Sequence, residues 1–208
     1  MSRGSAALNH QDPITVVWLK RDLRLKDHAP LQRAVELGMP MLILFCFEPS
    51  VLQAPDSSIF HVRFQEDCLQ ELQAELSRLG GGVHVFHREV VELLEALHER
   101  LGPLRLISHQ ETGNLLTYAR DKAVARWCKT RGVSWDELPS QGVVRGACTR
   151  SGWSEQWLAY MRAPLADPAL HRARWVELDP QWVQQQVWGD RPPLGRRDHE
   201  VSDPDRLP

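Results

Sequence analysis

The sequence predicts an α/β fold, with a doubly wound, five-stranded parallel sheet and helices on both faces. Short apolar segments alternate along the chain with longer segments whose leucines recur at helical spacing. The segment MLILFCF, residues 41–47, is apolar without interruption, which is typical of a central strand buried on both faces. Because crossovers between parallel strands are right-handed, we expect the strand order 3-2-1-4-5 around the first strand.

The same patterns place each element in turn. The strands are predicted at Ile14–Leu19, Met41–Phe47, Val83–Phe86, Leu104–Ser108 and Val133–Leu138. The helices are predicted at Pro30–Leu37, His61–Leu79, Val90–Leu101, Asn114–Arg131 and Trp153–Arg162. Sustained periodicity ends after Pro139. We therefore predict an α/β domain over residues 13–140, followed over 141–208 by a connecting loop, a short helix and a linker.

Composition excludes several classes of protein. The net charge of −2 gives no bulk attraction to nucleic acid or to membranes. No segment approaches the twenty or so apolar residues that span a bilayer, and the first dozen residues lack an apolar signal core. The four cysteines are far apart and are expected to be buried, reduced thiols. We therefore expect a cytoplasmic protein without a membrane partner.

Common ligand and catalytic motifs are missing. Gly80–Gly82 follow a helix and precede a strand, which is the wrong polarity for a phosphate-binding loop. The sequence contains neither the dinucleotide nor the P-loop glycine motif, and no G-x-S-x-G nucleophile elbow. His84 and His87 lie three apart on a predicted strand and so point to opposite faces. We therefore predict no metal site and no nucleophilic hydrolase.

The most informative segment is the charged loop Lys20–His28, which follows the first predicted strand. Ligands of parallel α/β sheets bind at the carboxyl ends of strands, where this loop lies. The loop can be a solvated segment with internal ion pairs, each worth less than about 1 kcal/mol. It can also be an anion or cofactor cradle in which arginines replace a glycine-rich loop. Spacing alone leaves both interpretations open.

Two other strand ends are expected at the same edge. Phe47 and Glu48 end the second predicted strand, and Glu111 and Asn114 lie between the fourth strand and the next helix. Asn114 is a candidate N-cap, and Glu111 would be favourable near the positive end of that helix. The pair Arg120–Asp121 is placed to contact the first-strand loop. Three segments that are distant in sequence therefore converge on one predicted crevice.

The segments that form this crevice resemble the photolyase and cryptochrome family. The stretch WLKRDLRLKDHAPLQRA is similar to the opening strand and loop of the family, and FCFEPS to its second-strand ending. The stretches SIFHVRFQEDCLQELQAELSRLGGGVHVF and HQETGNLLTYARDKAVARWC are similar to two later segments, in the same order. The resemblance covers roughly residues 14–163.

The resemblance implies the N-terminal α/β domain of a blue-light flavoprotein. In the family this domain can hold an antenna chromophore (a folate, a deazaflavin or a flavin) that passes excitation energy to FAD. The FAD and the pocket for damaged DNA belong to a helical C-terminal domain, which is outside this sequence. Light-driven DNA repair, as in deoxyribodipyrimidine photo-lyases, or signalling would need that partner domain, so the chain alone is not expected to be active.

The expected chromophore contacts and two rival functions complete the prediction. The contacts are Arg21, Asp22, Arg24, Asp27, Phe47, Glu48, Glu111 and Asn114. One rival is a stand-alone module that binds a flavin or a nucleotide without repairing DNA. The other is a purely structural role, in which the crevice is filled by the side chains of the chain itself and the tryptophan-rich tail docks onto a partner.

Overall fold

The computed structural model describes residues 13–143, 145 and 151–186. The strands are β1 (Ile14–Leu19), β2 (Pro40–Cys46), β3 (Val83–Phe86), β4 (Leu104–His109), β5 (Ser134–Leu138) and β6 (Arg174–Trp175). The helices are α1 (Ala29–Leu37), α2 (Pro49–Leu52), α3 (Ile59–Ser77), α4 (Val90–Leu101), α5 (Leu115–Arg131), α6 (Trp153–Met161) and α7 (Pro180–Gln185). Among the described helices, none is long and apolar enough to cross a bilayer.

The sheet is parallel and has the order β3-β2-β1-β4-β5, which confirms the predicted fold class and strand order. Val17 in β1 pairs with Ile43 in β2 on one side and with Ile107 in β4 on the other. The short strand β6 was not predicted, and it extends the sheet beside the start of β2 through Met41 and Trp175. β1 is therefore central, and its carboxyl end lies between those of β2 and β4.

Alternate residues of each strand pack into one of two cores. Val16 and Trp18 face the core that α4 and α5 cover. Val17 and Leu19 face the opposite core, which α1 and α3 cover. Every residue of β1 and β2 is buried, as expected for central strands of a doubly wound sheet. Both faces of the sheet are thus closed, and only its edges remain for ligands.

The helix ends follow the local sequence. His28 and Asn114 cap α1 and α5 by accepting hydrogen bonds from the backbone N–H groups of Leu31 and Thr117. Gly38 and Gly132 follow the same two helices with positive φ angles of 65° and 67°. The predicted helix ends agree with the structure within two residues. Leu79, the last residue of the predicted helix, lies beyond the end of α3 at Ser77.

Within residues 164–186, several side chains pack against the α/β domain. Leu170, Val176 and Leu178 are buried in the two cores. The Trp175 indole covers Gly81 and donates a hydrogen bond to the carbonyl of Leu79. The predicted boundary at residue 140 is not tested by these contacts and stays a prediction.

The packing of Trp182 and the burial of the cysteines can be compared with what the sequence suggested. Trp182 packs edge-on against Phe86, so it has found a partner within this domain. Cys46 and Cys128 are buried, and burial raises the pKa of the Cys46 thiol well above its usual value. Cys68 is only partly buried, because it lies on the exposed side of α3. Trp188 and Cys148 lie outside the described residues.

Candidate functional site

A buried guanidinium is the centre of the candidate site. Arg120 of α5 donates to Glu48 Oε1 at 2.9 Å, to Glu111 Oε2 at 2.8 Å and to Asp121 Oδ1 at 3.1 Å. Its guanidinium also lies over the Trp18 ring, 4.7 Å from the ring centroid. The ends of β2 and β4 are therefore joined to α5 by one arginine, above the end of β1.

The acidic partners of Arg120 are held by the backbone as well. Glu48 Oε2 accepts from the N–H of Val90, the first residue of α4, at 3.3 Å. Glu111 Oε1 accepts from the N–H groups of Thr112 and Gly113, at 3.0 and 2.7 Å. Hydrogen bonds from charged or backbone donors are what buried carboxylates need. Both carboxylates are consequently fixed in place.

Burial and charge shift the protonation of this cluster. Burial raises the pKa of Glu48 to about 7, although Arg120 and the Val90 N–H oppose the change. Burial would also lower the pKa of Arg120, but the surrounding carboxylates outweigh it and raise that pKa. The two directions are consistent because one guanidinium is shared among three acids, so each acid receives only part of its attraction. With a pKa of about 7, Glu48 exchanges a proton near neutral pH.

A second ion pair connects α5 to the first loop. Lys20 Nζ donates to Asp121 Oδ2 at 2.7 Å and lies 4.4 Å from the centroid of the Trp18 ring and 5.4 Å from that of Trp135. Burial lowers the pKa of Lys20, and Asp121 opposes that shift. The contact confirms, for Asp121, the prediction that the Arg120–Asp121 pair meets the first-strand loop.

Asp22 forms a separate buried cluster with two histidines. Its Oδ2 lies 2.8 Å from His28 Nε2 and 2.5 Å from His109 Nδ1, and its Oδ1 accepts from the Lys20 N–H at 2.8 Å. Although burial raises the pKa of Asp22, the hydrogen bonds from His109 and His28 outweigh it and hold that pKa well below its usual value. Burial lowers the pKa of His28, against the attraction of Asp22. A neutral His28 beside an ionised Asp22 is consistent with both shifts.

The geometry of this cluster suits hydrogen bonding better than metal binding. The three ligand atoms lie within 4.8 Å of one another, so the cluster has the composition of a metal site. His28 Nδ1, however, accepts from the Leu31 N–H, which leaves the ring proton on Nε2, facing Asp22. A metal ligand needs a bare nitrogen at that position. Spacing along the sequence gave no sign of this cluster, because His109 comes from another strand.

Two predicted contact residues of the first loop, Asp27 and Arg24, are occupied by hydrogen bonds within the chain. Asp27 adopts a positive φ of 48°, and its carboxylate accepts from the N–H of Ala166 at 3.0 Å. Its own N–H donates to Asp167 Oδ1 at 2.8 Å. Arg24 donates through Nε and Nη2 to the backbone carbonyl of Asp27, at 3.1 and 2.9 Å. Asp27 therefore holds the segment around residue 166 against the loop, and Arg24 contacts the backbone of Asp27 within the loop.

The other predicted residues are near the edge, each with a structural contact. Phe47 is buried and stacks on His87 with a centroid distance of 5.0 Å. Asn114 donates to Asp56 Oδ2 at 2.7 Å in addition to capping α5. Arg21 is exposed and its guanidinium lies against Gly113. Arg145 was missed from the sequence; it donates to the Glu111 carbonyl and makes two hydrogen bonds to Glu137.

The predicted crevice contains two pockets that have no lining residue in common, one with Arg120 and one with Glu111 in its lining. On the Arg120 side, a groove of about 230 Å³ runs between α4 and α5. Its walls are mostly aliphatic, and its polar groups include Glu48 and Arg120. The lining residues are Glu48, Ser50, Glu89, Val90, Val91, Leu116, Ala119, Arg120 and Ala123. On the Glu111 side, a polar cavity of about 110 Å³ adjoins the first loop.

Comparison with known proteins decides the family. The model of the DNA photolyase family matches residues 15–152. The chain belongs to this family. It is 28% identical over 173 residues to a deoxyribodipyrimidine photo-lyase of Synechococcus, an alignment that covers 79% of this chain and 35% of that protein.

Solved structures of photolyases have the same fold. A class III photolyase from Agrobacterium tumefaciens superposes with a TM-score of 0.64 at 17% identity, over 90% of this chain and 41% of that one. An archaeal photolyase from Sulfolobus tokodaii, solved with two FAD molecules, gives a TM-score of 0.63 at 16% identity, over 86% and 42% of the two chains. The chain therefore spans less than half the length of each of these three photolyases.

Proposed function

We propose that the chain is the antenna and scaffold domain of a photolyase or cryptochrome, and that it binds a flat heteroaromatic chromophore in the groove between α4 and α5. The observation that carries the proposal is the groove itself. It has aliphatic walls and a few convergent polar groups at the carboxyl edge of the sheet, as is common in cofactor sites. The Sulfolobus photolyase with two FAD molecules supports a flavin as one candidate.

The residues around the groove fit such a group. Val90, Val91 and Leu116 offer apolar contact to a ring. Glu48, with its pKa near 7, can accept or donate a hydrogen bond to a heterocyclic nitrogen or oxygen at neutral pH. A bound antenna absorbs light and passes the excitation to FAD, and this chain binds it, orients it and excludes water. Repair of damaged DNA, or signalling, is proposed only for a protein that also contains the FAD domain.

Of the predicted contacts, Glu48 lines the groove, and Arg21 and Arg24 line the cavity, so a ligand can reach these three. We assign Asp22, Asp27, Phe47 and Asn114 to positioning, because each is occupied by contacts within the chain. Glu111 acts through Arg120.

The test uses the chain purified in the presence of riboflavin, FMN, FAD, a reduced folate or a deazaflavin. We expect one of these to bind with a changed absorption or fluorescence spectrum. Ala119→Phe fills the groove from an exposed position of α5, without replacing a member of the charged cluster, and should abolish this binding. Ala125→Phe, on the exposed side of the same helix, is the matched control and should bind normally. Binding that survives Ala119→Phe would place the chromophore elsewhere.

Glutamine variants test the polar groups of the same site. Glu48→Gln should weaken chromophore binding by about tenfold, the usual cost of one hydrogen bond to a charged group. Glutamine is preferable to alanine, because alanine would remove the side chain that accepts from Arg120. The intact mass of the native product, and its absorption spectrum, would show whether an FAD domain and a second chromophore accompany this chain.

A purely structural role is the second candidate, and one observation favours it. Glu48, Glu111 and Asp121 already bind Arg120, so the floor of the crevice is satisfied by the chain itself. If none of the five compounds binds to the chain or to its native product, and if the product contains an FAD domain, the scaffold role is the correct one.

A further inference from the structure

The cavity on the Glu111 side has a different chemistry from the groove. It lies between the loop after β1 and the loop after β4 and has a volume of about 110 Å³. Its lining includes Lys20, Arg21, Arg24, His109, Gln110 and Thr112, together with the carboxylates of Asp22 and Glu111. The aliphatic residues of the groove are absent from its lining. It therefore has to be considered as a site of its own.

The two carboxylates in the lining are already saturated. Asp22 accepts hydrogen bonds from both histidine rings and from the Lys20 N–H. Glu111 accepts from two backbone N–H groups and from Arg120. Lys20, which also lines the cavity, is likewise paired, because it donates to Asp121. These groups contribute little further attraction for a cation in the cavity.

The two arginines of the cavity, in contrast, form no ion pair with a carboxylate of the described residues. Arg24 uses Nε and Nη2 on the carbonyl of Asp27, which is a neutral acceptor. Arg21 packs against Gly113, where an added Cβ would lie 2.4 Å from its Nη2. No ion pair of either arginine occurs among residues 13–143, 145 and 151–186. Within the described residues the cavity thus has two guanidiniums that form no ion pair, while the Glu111 carboxylate, which is already hydrogen-bonded, lies near the guanidinium of Arg21.

We infer that this cavity binds a phosphate group, through Arg21 and Arg24. Guanidinium forks match the geometry of phosphate oxygens, and an oxyanion would supply the missing negative charge. The cavity volume of about 110 Å³ is several times the roughly 10–15 Å³ that holds one water molecule, so it has room for a tetrahedral oxyanion. The cavity and the groove have no lining residue in common, so phosphate binding can be tested separately from chromophore binding.

The test is a phosphate titration of the chain followed by ¹H–¹⁵N NMR at pH 7 and constant ionic strength. We expect saturable shifts of the amides at residues 20–24 and 109–113, with competition by sulfate and not by chloride. Arg21→Gln should weaken phosphate binding by about tenfold, the typical effect of removing one charge-assisted hydrogen bond. Lys26→Gln removes the same charge from an exposed position of the same loop that does not line the cavity, and should bind normally.

Further variants and ligands keep the outcomes separate. Arg24→Gln should have a similar effect, but it also loses the contact with Asp27. If Arg24→Gln does not fold, the result for Arg21→Gln decides the test. A comparison of FMN with riboflavin identifies the source of the phosphate group. If FMN binds more tightly than riboflavin and this advantage is lost in Arg21→Gln, the site takes the phosphate of a nucleotide. If phosphate binds while FMN and riboflavin bind with equal affinity, the site takes the free ion. Absence of saturable shifts at about 50 mM phosphate, well beyond a millimolar Kd, would overturn the inference. An equal loss in Lys26→Gln would do the same.

Discussion

Replacing Arg120 by methionine tests whether the charged cluster is the unit that holds the sheet edge together. Methionine keeps an apolar side chain over Trp18 and removes hydrogen bonds to three carboxylates. Breaking a buried charge pair by removing one partner costs about 3–5 kcal/mol. Glu48 can escape part of this cost by taking up a proton, because its pKa is already about 7. Glu111 and Asp121 keep the backbone N–H groups and Lys20 as donors.

Because of these compensations, we expect the free energy of unfolding to fall by about 3 kcal/mol, the lower end of the range for a broken buried charge pair. Urea unfolding monitored by tryptophan fluorescence and far-UV circular dichroism measures it. The carboxylates left behind acquire raised pKa values in the folded state. The deficit relative to the parent chain should therefore grow as the pH rises from 5 to 8.

The matched control is Arg33→Met, which removes the partially exposed ion pair of Arg33 with Asp136. It should cost less than about 1 kcal/mol. An Arg120→Met loss as small as the control, or one that does not change with pH, would refute the reasoning that Arg120 neutralises a coupled, buried cluster.

Two further predictions concern protonation and packing. In Glu48→Gln, the stability relative to the parent chain should rise with pH between 4.5 and about 7, by roughly 3 kcal/mol, since the parent retains a proton there that its unfolded state has lost. Urea unfolding across that range measures it, and a flat difference would mean that Glu48 is ionised throughout. Gly81→Ala should destabilise the chain by about 1–3 kcal/mol through overpacking, because the new Cβ would lie 2.3 Å from the Trp175 ring. A double-mutant cycle with Trp175→Leu should recover most of that loss; no recovery would place its cause in the backbone.

The fold was predictable because its determinants are local or general. Continuous apolar segments such as Met41–Phe47 mark central strands, and the handedness of crossovers then fixes the strand order. The convergence of Glu48 and Glu111 was predictable for the same reason: parallel strands bring their carboxyl ends to one edge. What the pattern could not supply is the pairing of these acids. It depends on which face of α5 turns toward the sheet, and that is decided by packing around Val124 and Trp127.

The contacts of Asp27 and of Trp175 were not predictable because they are non-local. Asp27 binds Ala166 and Asp167 about 140 residues away, and a positive φ at an aspartate leaves no mark in the composition of a loop. Trp175 packs on Gly81, one of the three glycines between α3 and β3, and no local pattern links the two residues. Within residues 164–186, Leu170, Val176 and Leu178 are buried in the two cores without a helical or strand periodicity. Local patterns describe faces of helices and strands, and these contacts have no regular face.

The position of Arg120 constrains how any chromophore can bind. A ring that displaced this guanidinium would leave three carboxylates without their shared partner, and the cost of uncovering them is comparable to the binding free energy of a millimolar ligand. A tight ligand must therefore lie beside Arg120, against Val90, Leu116 and Ala119, and use Glu48 only as far as Arg120 leaves it accessible. Arg120 and its acidic partners thus restrict a chromophore to the groove. The cavity of Arg21 and Arg24 remains for a smaller, anionic group.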